Sequence, residues 1–285
     1  MQESGPDMRG RICLVTGATG GIGKATALGL ARLGATLVLV TRDPRRGDAT
    51  VAEIKQQTGN DALDYLTADL TSQQSIRQLA DEFKGKYRHL HVLINNAGGL
   101  FPRTYTVDGL EKTFALNHLA YFLLTELLLD VLKASAPARI VSVSSEAERG
   151  GKINFDDLQS HKRYSAMSAY SQSKLANIMW TYELARRVEG TGVTANCLHP
   201  GAVATSFGNS IPLMNWVYRL GGRFMRTPEK GAETVIYLAS SPEVEGVTGT
   251  YFQDCKPIKS VPRSYDREAA RRLWQVSAEL TGVSA

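Results

Sequence analysis

Short runs of apolar, β-branched residues recur along the chain, separated by longer stretches in which apolar positions return every three or four residues. The short runs predict strands at Ile12–Thr16, Thr36–Thr41, Leu63–Thr67, Val92–Asn95, Ile140–Ser144, Val193–Leu198 and Thr250–Phe252. The longer stretches predict helices near 22–33, 44–58, 72–87, 108–134, 165–190 and 229–240. Strands that read as continuous apolar runs are buried on both faces. Strand–helix alternation implies right-handed βαβ units. The expected fold class is α/β, a doubly wound parallel sheet of the Rossmann type. It has about seven strands, helices on both faces, and ligands at the carboxyl ends of the strands. No linker or internal repeat divides the chain, so residues 1–285 read as one domain. Three segments fall outside the alternation: 146–164, 202–228 and the tail after 253. The first two are expected to cover a substrate, although the apolar 202–228, with Ile211, Trp216 and Phe224, reads equally well as core packing. The tail either closes over a pocket or belongs to an interface.

Composition narrows the function classes. Hydrophobic residues at 43% and charged residues at 21% exclude a disordered chain or a fibre. There are 33 Lys and Arg against 28 Asp and Glu, a net charge of +5. The basic residues cluster only at Arg42–Arg46 and at Arg263, Arg267, Arg271 and Arg272 of the tail, which read as solvated surface. No nucleic-acid partner is expected. Cys13, Cys197 and Cys255 are far apart, with no metal spacing and no paired framework, which fits a reducing compartment. Met1 to Gly10 has no apolar signal core. The most apolar stretch, Leu119–Leu132, carries Glu126 and Asp130 and is too short to span a bilayer. The expectation is a soluble cytoplasmic protein with no transmembrane segment and no metal.

The first strand runs into Thr16-Gly17-Ala18-Thr19-Gly20-Gly21-Ile22-Gly23 and then a helix. Glycines there allow a tight turn and close approach of a pyrophosphate, and the helix N-terminus offers free N–H groups. The second strand ends at Thr41-Arg42-Asp43. An acid at its tip would bind a ribose 2′-hydroxyl. Here Thr41 holds that place and Arg42 follows, which suits a 2′-phosphate, so NADP(H) is favoured over NAD(H). Asp43 is close enough to the tip to serve as that acid, and reads alternatively as a cap for the next helix, ahead of Pro44. Asp69, before Leu70, reads either as an adenine contact or as a cap for the helix near Ser72. In Asn95-Asn96-Ala97-Gly98, small residues let the chain pass close to a ribose, while asparagine can also satisfy loop backbone. In Tyr170-Ser171-Gln172-Ser173-Lys174, positions i and i+4 share a helix face. A free tyrosine titrates near ~10, and an adjacent ammonium favours the phenolate and makes the group useful in acid–base chemistry.

Together these motifs resemble the short-chain dehydrogenase/reductase family. Thr16-Gly17-x-x-x-Gly21-Ile22-Gly23, Asp69, Asn95-Asn96-Ala97-Gly98, Asn117, Ser144-Ser145, Tyr170-x-x-x-Lys174 and Pro200-Gly201-x-x-x-Thr205 come in family order over most of the chain. The resemblance implies a Tyr170 general acid/base and a Lys174 that holds the nicotinamide ribose. It also implies a Ser145 that bonds the substrate oxygen and an Asn117 that positions a relay water. Gly17, Thr19, Gly20, Gly21, Ile22, Gly23, Arg42, Asp69, Leu70, Asn96, Ala97 and Gly98 would line the cofactor. Pro200, Gly201, Val203 and Thr205 would flank the nicotinamide. Only one of Ser144 and Ser145 can face the site, and the family pattern puts it second.

The stretch from Gly151 to Ser165, with Ser173-Lys174-Leu175-Ala176-Asn177 and Tyr251-Phe252-Gln253-Asp254-Cys255-Lys256, resembles the retinol dehydrogenase-like branch. That branch implies a small hydrophobic carbonyl or alcohol substrate, with retinal as one example. Family members also pair helices across a two-fold axis, which would make a homodimer or homotetramer through faces that include Phe114, Leu124, Leu128, Ile178 and Met179. The alternative readings are a reductase of steroids, quinones or tetrapyrroles, and a catalytically silent NADP(H) sensor or scaffold.

Overall fold

The computed structural model describes residues 6–203 and 225–284. Thr205 and most of the 202–228 segment lie outside the described residues. The strands are β1 Ile12–Thr16, β2 Thr36–Thr41, β3 Leu63–Thr67, β4 Val92–Asn95, β5 Ala138–Val143, β6 Val193–Leu198, β7 Tyr251–Gln253 and β8 Lys256–Ile258. They form one sheet in the order β3-β2-β1-β4-β5-β6-β7-β8. All neighbours are parallel except the antiparallel β7–β8 edge.

Successive strand residues face opposite sides, and the sheet therefore carries a core on each face. Cys13, Val15, Leu37, Leu39, Ile94 and Val143 pack under α1 (Gly21–Arg32), α2 (Pro44–Thr58) and α6 (Pro228–Ser240). Leu14, Val38, Val40, Leu93 and Ile140 pack under α3 (Gln73–Lys86), α4 (Lys112–Ala134) and α5 (Ala166–Arg187). The order reverses between β1 and β4, the place in such a sheet where a ligand crevice lies beyond the carboxyl ends of the strands.

Local chemistry sets the boundaries. Asp43 caps α2, accepting from Arg45 N, with Pro44 in the first turn. Ser72 caps α3, so Asp69 is not that helix's cap. The predicted helix over 108–134 starts later, at Lys112, because the Glu111 carboxylate accepts from Thr113 N and Phe114 N at 2.8 Å each. At 23 residues, α4 is long and apolar enough to cross a membrane, which corrects the length drawn from Leu119–Leu132. Two-thirds of its apolar window is buried inside the fold.

The tail departs most from expectation. Asp254 and Cys255, with φ of 50° and 58°, make a two-residue turn into an eighth strand. Residues Arg267–Thr281 then form α7, capped by Asp266 and closed by Gly282 with φ of 62°. Ala270 and Leu273 of α7 cover Phe114, Leu175 and Met179, and Trp274 packs edge-on to Phe122 at 5.0 Å. Arg263, Arg267, Arg271 and Arg272 are all exposed, as expected; Arg263 also donates to the Gly151 carbonyl at 2.6 Å and Arg272 lies over Phe155. All five residues proposed for a two-fold helix interface are buried within the protomer. Phe114 and Met179 lie under α7, Leu124 and Leu128 in the sheet-side core, and Ile178 against Cys197 and Tyr251.

Candidate active site

The crevice wall begins at the glycine-rich turn. Gly17 has φ of 65°, and a Cβ there would lie 2.9 Å from the Ala97 Cα. A side chain on Gly23 would strike the Gly17 carbonyl and the Asn96 amide. These two glycines let the β1 and β4 loops touch. Thr16 Oγ1 completes the seam by accepting from Asn96 N and Ala97 N at 2.8 and 3.0 Å, while Asn96 Nδ2 donates to Thr16 O. Asn96 thus takes the role of satisfying loop backbone. Gly20 is extended and caps α1 with no side-chain bond, so the first N–H groups of α1 have no capping side chain. Such a terminus is an anion site.

Around this turn the residues sort unevenly. Arg42 is exposed beyond β2. Arg46, which the sequence reading did not single out, reaches back from α2 and donates to the Thr19 carbonyl at 2.9 Å. Its signal was the basic cluster Arg42–Arg46, of which Arg46 falls in the first turn of α2. Asp69 is exposed and accepts from the Thr71 N–H and hydroxyl. Leu70 turns its side chain into the core, so only its backbone can meet a ligand. Ile22 lies near Val203, both close to Gly231 at the start of α6. Gly201, with φ of 78°, sits beside Arg226, which pairs with Asp254. Val203 is therefore brought next to the Ile22 end of the glycine-rich turn, with Gly201 two residues before it beside Arg226.

The polar centre lies on α4 and α5. Asn117 sits in a π-helical turn, Ala115–Leu119, within α4. It is fully buried, donates to Gly99 O and Ser173 Oγ at 2.9 and 3.0 Å, and accepts from Gly99 N at 2.8 Å. A Cβ on Gly98 would come within 3.1 Å of Asn117 Oδ1 and 3.6 Å of Lys174 Nζ. Lys174 is buried, donates to Val143 O at 2.9 Å, and stands 5.7 Å from the centre of the Tyr170 ring and 5.8 Å from that of Tyr121. Burial pushes its pKa down to about 7. Tyr121 and Ser173 belong to this cluster and were not predicted. The α4 and Tyr-x-x-x-Lys patterns contain them, but spacing gave no reason to choose them.

The two serines separate as strand geometry requires. Ser144 Oγ is buried and donates to Lys174 O at 2.8 Å. Ser145 is half-buried and extended; its Oγ accepts from Ala147 N, leaving its own proton to donate. Residues 146–164, expected to cover a substrate, form a 3-10 turn at Glu146–Gly150 and a polar loop tied to its neighbours. Tyr164 OH donates to Phe101 O at 2.8 Å, and Gln159 Oε1 accepts from Glu111 N at 2.6 Å. Among the described residues no group of His, Cys, Asp or Glu is arranged to hold a metal. A cavity of about 640 Å³ opens at the amino ends of the strands, lined by Arg11, His91 and Arg139 among others, and none of the predicted site residues reaches it.

Comparison with known proteins agrees with this geometry. The short chain dehydrogenase family profile matches residues 11–215. Retinol dehydrogenase 14 of Mus musculus is 46% identical over 99% of this chain and 90% of its own length. A structure of an uncharacterized protein from Mycobacterium paratuberculosis superposes with a TM-score of 0.80 at 33% identity, covering 98% of this chain and 96% of the other. A short chain dehydrogenase from Shigella flexneri, solved in complex with NADP, superposes at 0.71 with 25% identity, over 87% of this chain and 98% of that one.

Proposed function

The chain belongs to the short chain dehydrogenase family, in its retinol dehydrogenase-like part, and from that premise we propose that it interconverts a small apolar aldehyde or ketone and its alcohol with NADP(H), using Tyr170 as general acid/base. The observation that carries this reading is the buried Lys174 ammonium beside the Tyr170 ring, with Asn117 and Ser173 bonded next to it. The nicotinamide, when bound, supplies or accepts the hydride.

The chain's own residues do the rest. Gly17, Gly20 and the N-terminus of α1 form a cradle with room and N–H donors for a pyrophosphate. Lys174 has three protons, and its bond to Val143 O leaves donors for ribose hydroxyls. In its charged form it also stabilises negative charge developing on the Tyr170 oxygen. Ser145 keeps a proton to bond the substrate oxygen, and Tyr170 gives its proton to that oxygen in reduction or takes it in oxidation. Arg46 over the Thr19 carbonyl, with Arg42 at the tip of β2, supports a 2′-phosphate and hence NADP(H). The similarity to a retinol dehydrogenase supports an apolar alcohol as substrate.

The test is NADPH and NADH oxidation, side by side, with all-trans-retinal and a ladder of aliphatic and aromatic aldehydes. Turnover is expected with NADPH and is expected to rise with chain length. Tyr170→Phe is expected to lose about 10²–10⁴-fold in kcat while binding NADPH as the parent does. Full turnover in that variant refutes the role of Tyr170.

A further inference from the structure

His118 follows Asn117 in the π-helical turn of α4 and is fully buried. Its Nδ1 lies 3.3 Å from Asn177 Oδ1 on α5, and its Nε2 lies 3.0 Å from Ser277 Oγ on α7. An amide oxygen can only accept, so Nδ1 carries the proton and Nε2 accepts from the Ser277 hydroxyl. Burial keeps the ring neutral, with its pKa pushed down to about 4, which preserves the Nε2 lone pair. The Phe114 ring at 5.1 Å and the Trp180 ring at 6.4 Å hold the imidazole from two sides.

The turn that carries both residues is wider than an α-turn, Ala120 N donating to Ala115 O. Such bulges sit at functional sites and persist only where surrounding contacts fix them. Adjacent residues on a helix point about 100° apart, so this turn is gripped from two directions. Asn117 reaches toward Gly99 and Ser173, and His118 reaches toward Asn177 and Ser277. We propose that His118 is a positioning residue and that the C-terminal helix α7, through the Ser277–His118 hydrogen bond, sets the place of Asn117 in the reacting site. This rests on the reading of Asn117, Tyr170 and Lys174 as that site. It makes the tail part of the catalytic machinery, although none of its described residues was predicted to touch substrate or cofactor.

Ser277→Ala removes the donor, and His118→Asn keeps the reach to Asn177 but not to Ser277. His118→Gln retains an amide where Nε2 stood. Each is measured for kcat, for KM toward the aldehyde and for NADPH affinity, and by amide hydrogen exchange over 115–120. Ser277→Ala and His118→Asn are expected to lower kcat on the order of 10-fold, with NADPH affinity unchanged and faster exchange in the turn. The double variant is expected to be no worse than either alone, and His118→Gln to recover most of the rate. An unchanged kcat in Ser277→Ala, or an unchanged exchange rate over 115–120, overturns the proposal. A parent protein without turnover on any carbonyl overturns the reading of the reaction instead, and the exchange measurement still decides whether Ser277 holds the turn.

Discussion

Replacing Lys174 by methionine is expected to stabilise the cofactor-free protein while abolishing turnover. The lysine is 3% exposed, and desolvation alone accounts for the fall of its pKa from 10.5 to about 7. A difference of that size between unfolded and folded chain costs about 4–5 kcal/mol at and below pH 7. Methionine fills a similar volume without that cost but leaves the Val143 carbonyl one donor short, a loss of about 1–3 kcal/mol. The net gain is about 1–4 kcal/mol near pH 7, a rise of a few degrees in Tm for a chain of this length. The pH dependence has a definite sign. The folded-state pKa lies below the unfolded one, so from about 7 to 10.5 the unfolded chain holds a proton that the folded chain lacks. Raising the pH through that window stabilises the parent, and the advantage of the variant shrinks by about 2 kcal/mol between pH 7 and pH 9. The other titrating groups are common to both proteins and cancel in the difference. Thermal and urea unfolding of both proteins across that range measures it. A methionine variant less stable than the parent at neutral pH, or a stability difference that does not change with pH, refutes the argument that Lys174 is held in a desolvated site.

Two further outcomes follow from contacts outside the reacting centre. Arg46→Ala is expected to weaken NADPH by about 10–100-fold, the worth of a charge-assisted bond, and NADH far less. Equal weakening of both, read by nucleotide fluorescence titration, removes Arg46 from the phosphate site. Leu273→Ala, at a fully buried position on α7, is expected to cost about 2–5 kcal/mol in urea unfolding; a cost below about 1 kcal/mol would mean that α7 is not part of the cooperative core.

Much of this was legible because local signals agreed with the global fold. The strand at Val193–Leu198 is the same residue for residue in sequence and structure, and β1 to β4 likewise; β1, β2 and β4 are near-continuous apolar runs buried on both faces, whereas β3 carries Asp64 and Thr67 at the sheet's edge. The glycine-rich turn was legible because the Gly17 φ of 65° and the Gly23 contact leave no other residue type. The eighth strand was not. It has three residues, sits at an edge with Pro257 in it, and is entered by an Asp-Cys turn rather than by Asn-Gly. Helix α7 was not legible from strand–helix alternation although Asp266 and Gly282 mark its ends, because the three-residue β8 ahead of it carries no strand signal. Arg46 was not legible because the phosphate-anchor position lies at the tip of the second strand, at Arg42, whereas the guanidinium over the turn comes from the first turn of α2.

The long helix α5 shows why pattern alone understated the site. Seventeen of its 22 residues are buried, so no polar face exists for periodicity to detect. Each direction is occupied by a different partner. Trp180 and Leu184 meet the sheet, Ser173 and Asn177 meet α4, Leu175 and Met179 meet α7, and Tyr182 bonds Ser260. A Tyr-x-x-x-Lys pair on an exposed amphipathic helix would stand in water, where an ammonium at this separation does little. Here Lys174 is buried, and the desolvation that lowers its pKa also strengthens its field at Tyr170. Burial also settles what the described faces of α4 and α5 can do. Phe114 and Met179, named for a two-fold helix pairing, already hold Ala270 and Leu273 of their own chain. An assembly through that face would have to displace α7, and with it the Ser277 hydroxyl from His118. The packing of α7 and that mode of pairing therefore compete for one surface, and in this structure the surface is given to the tail.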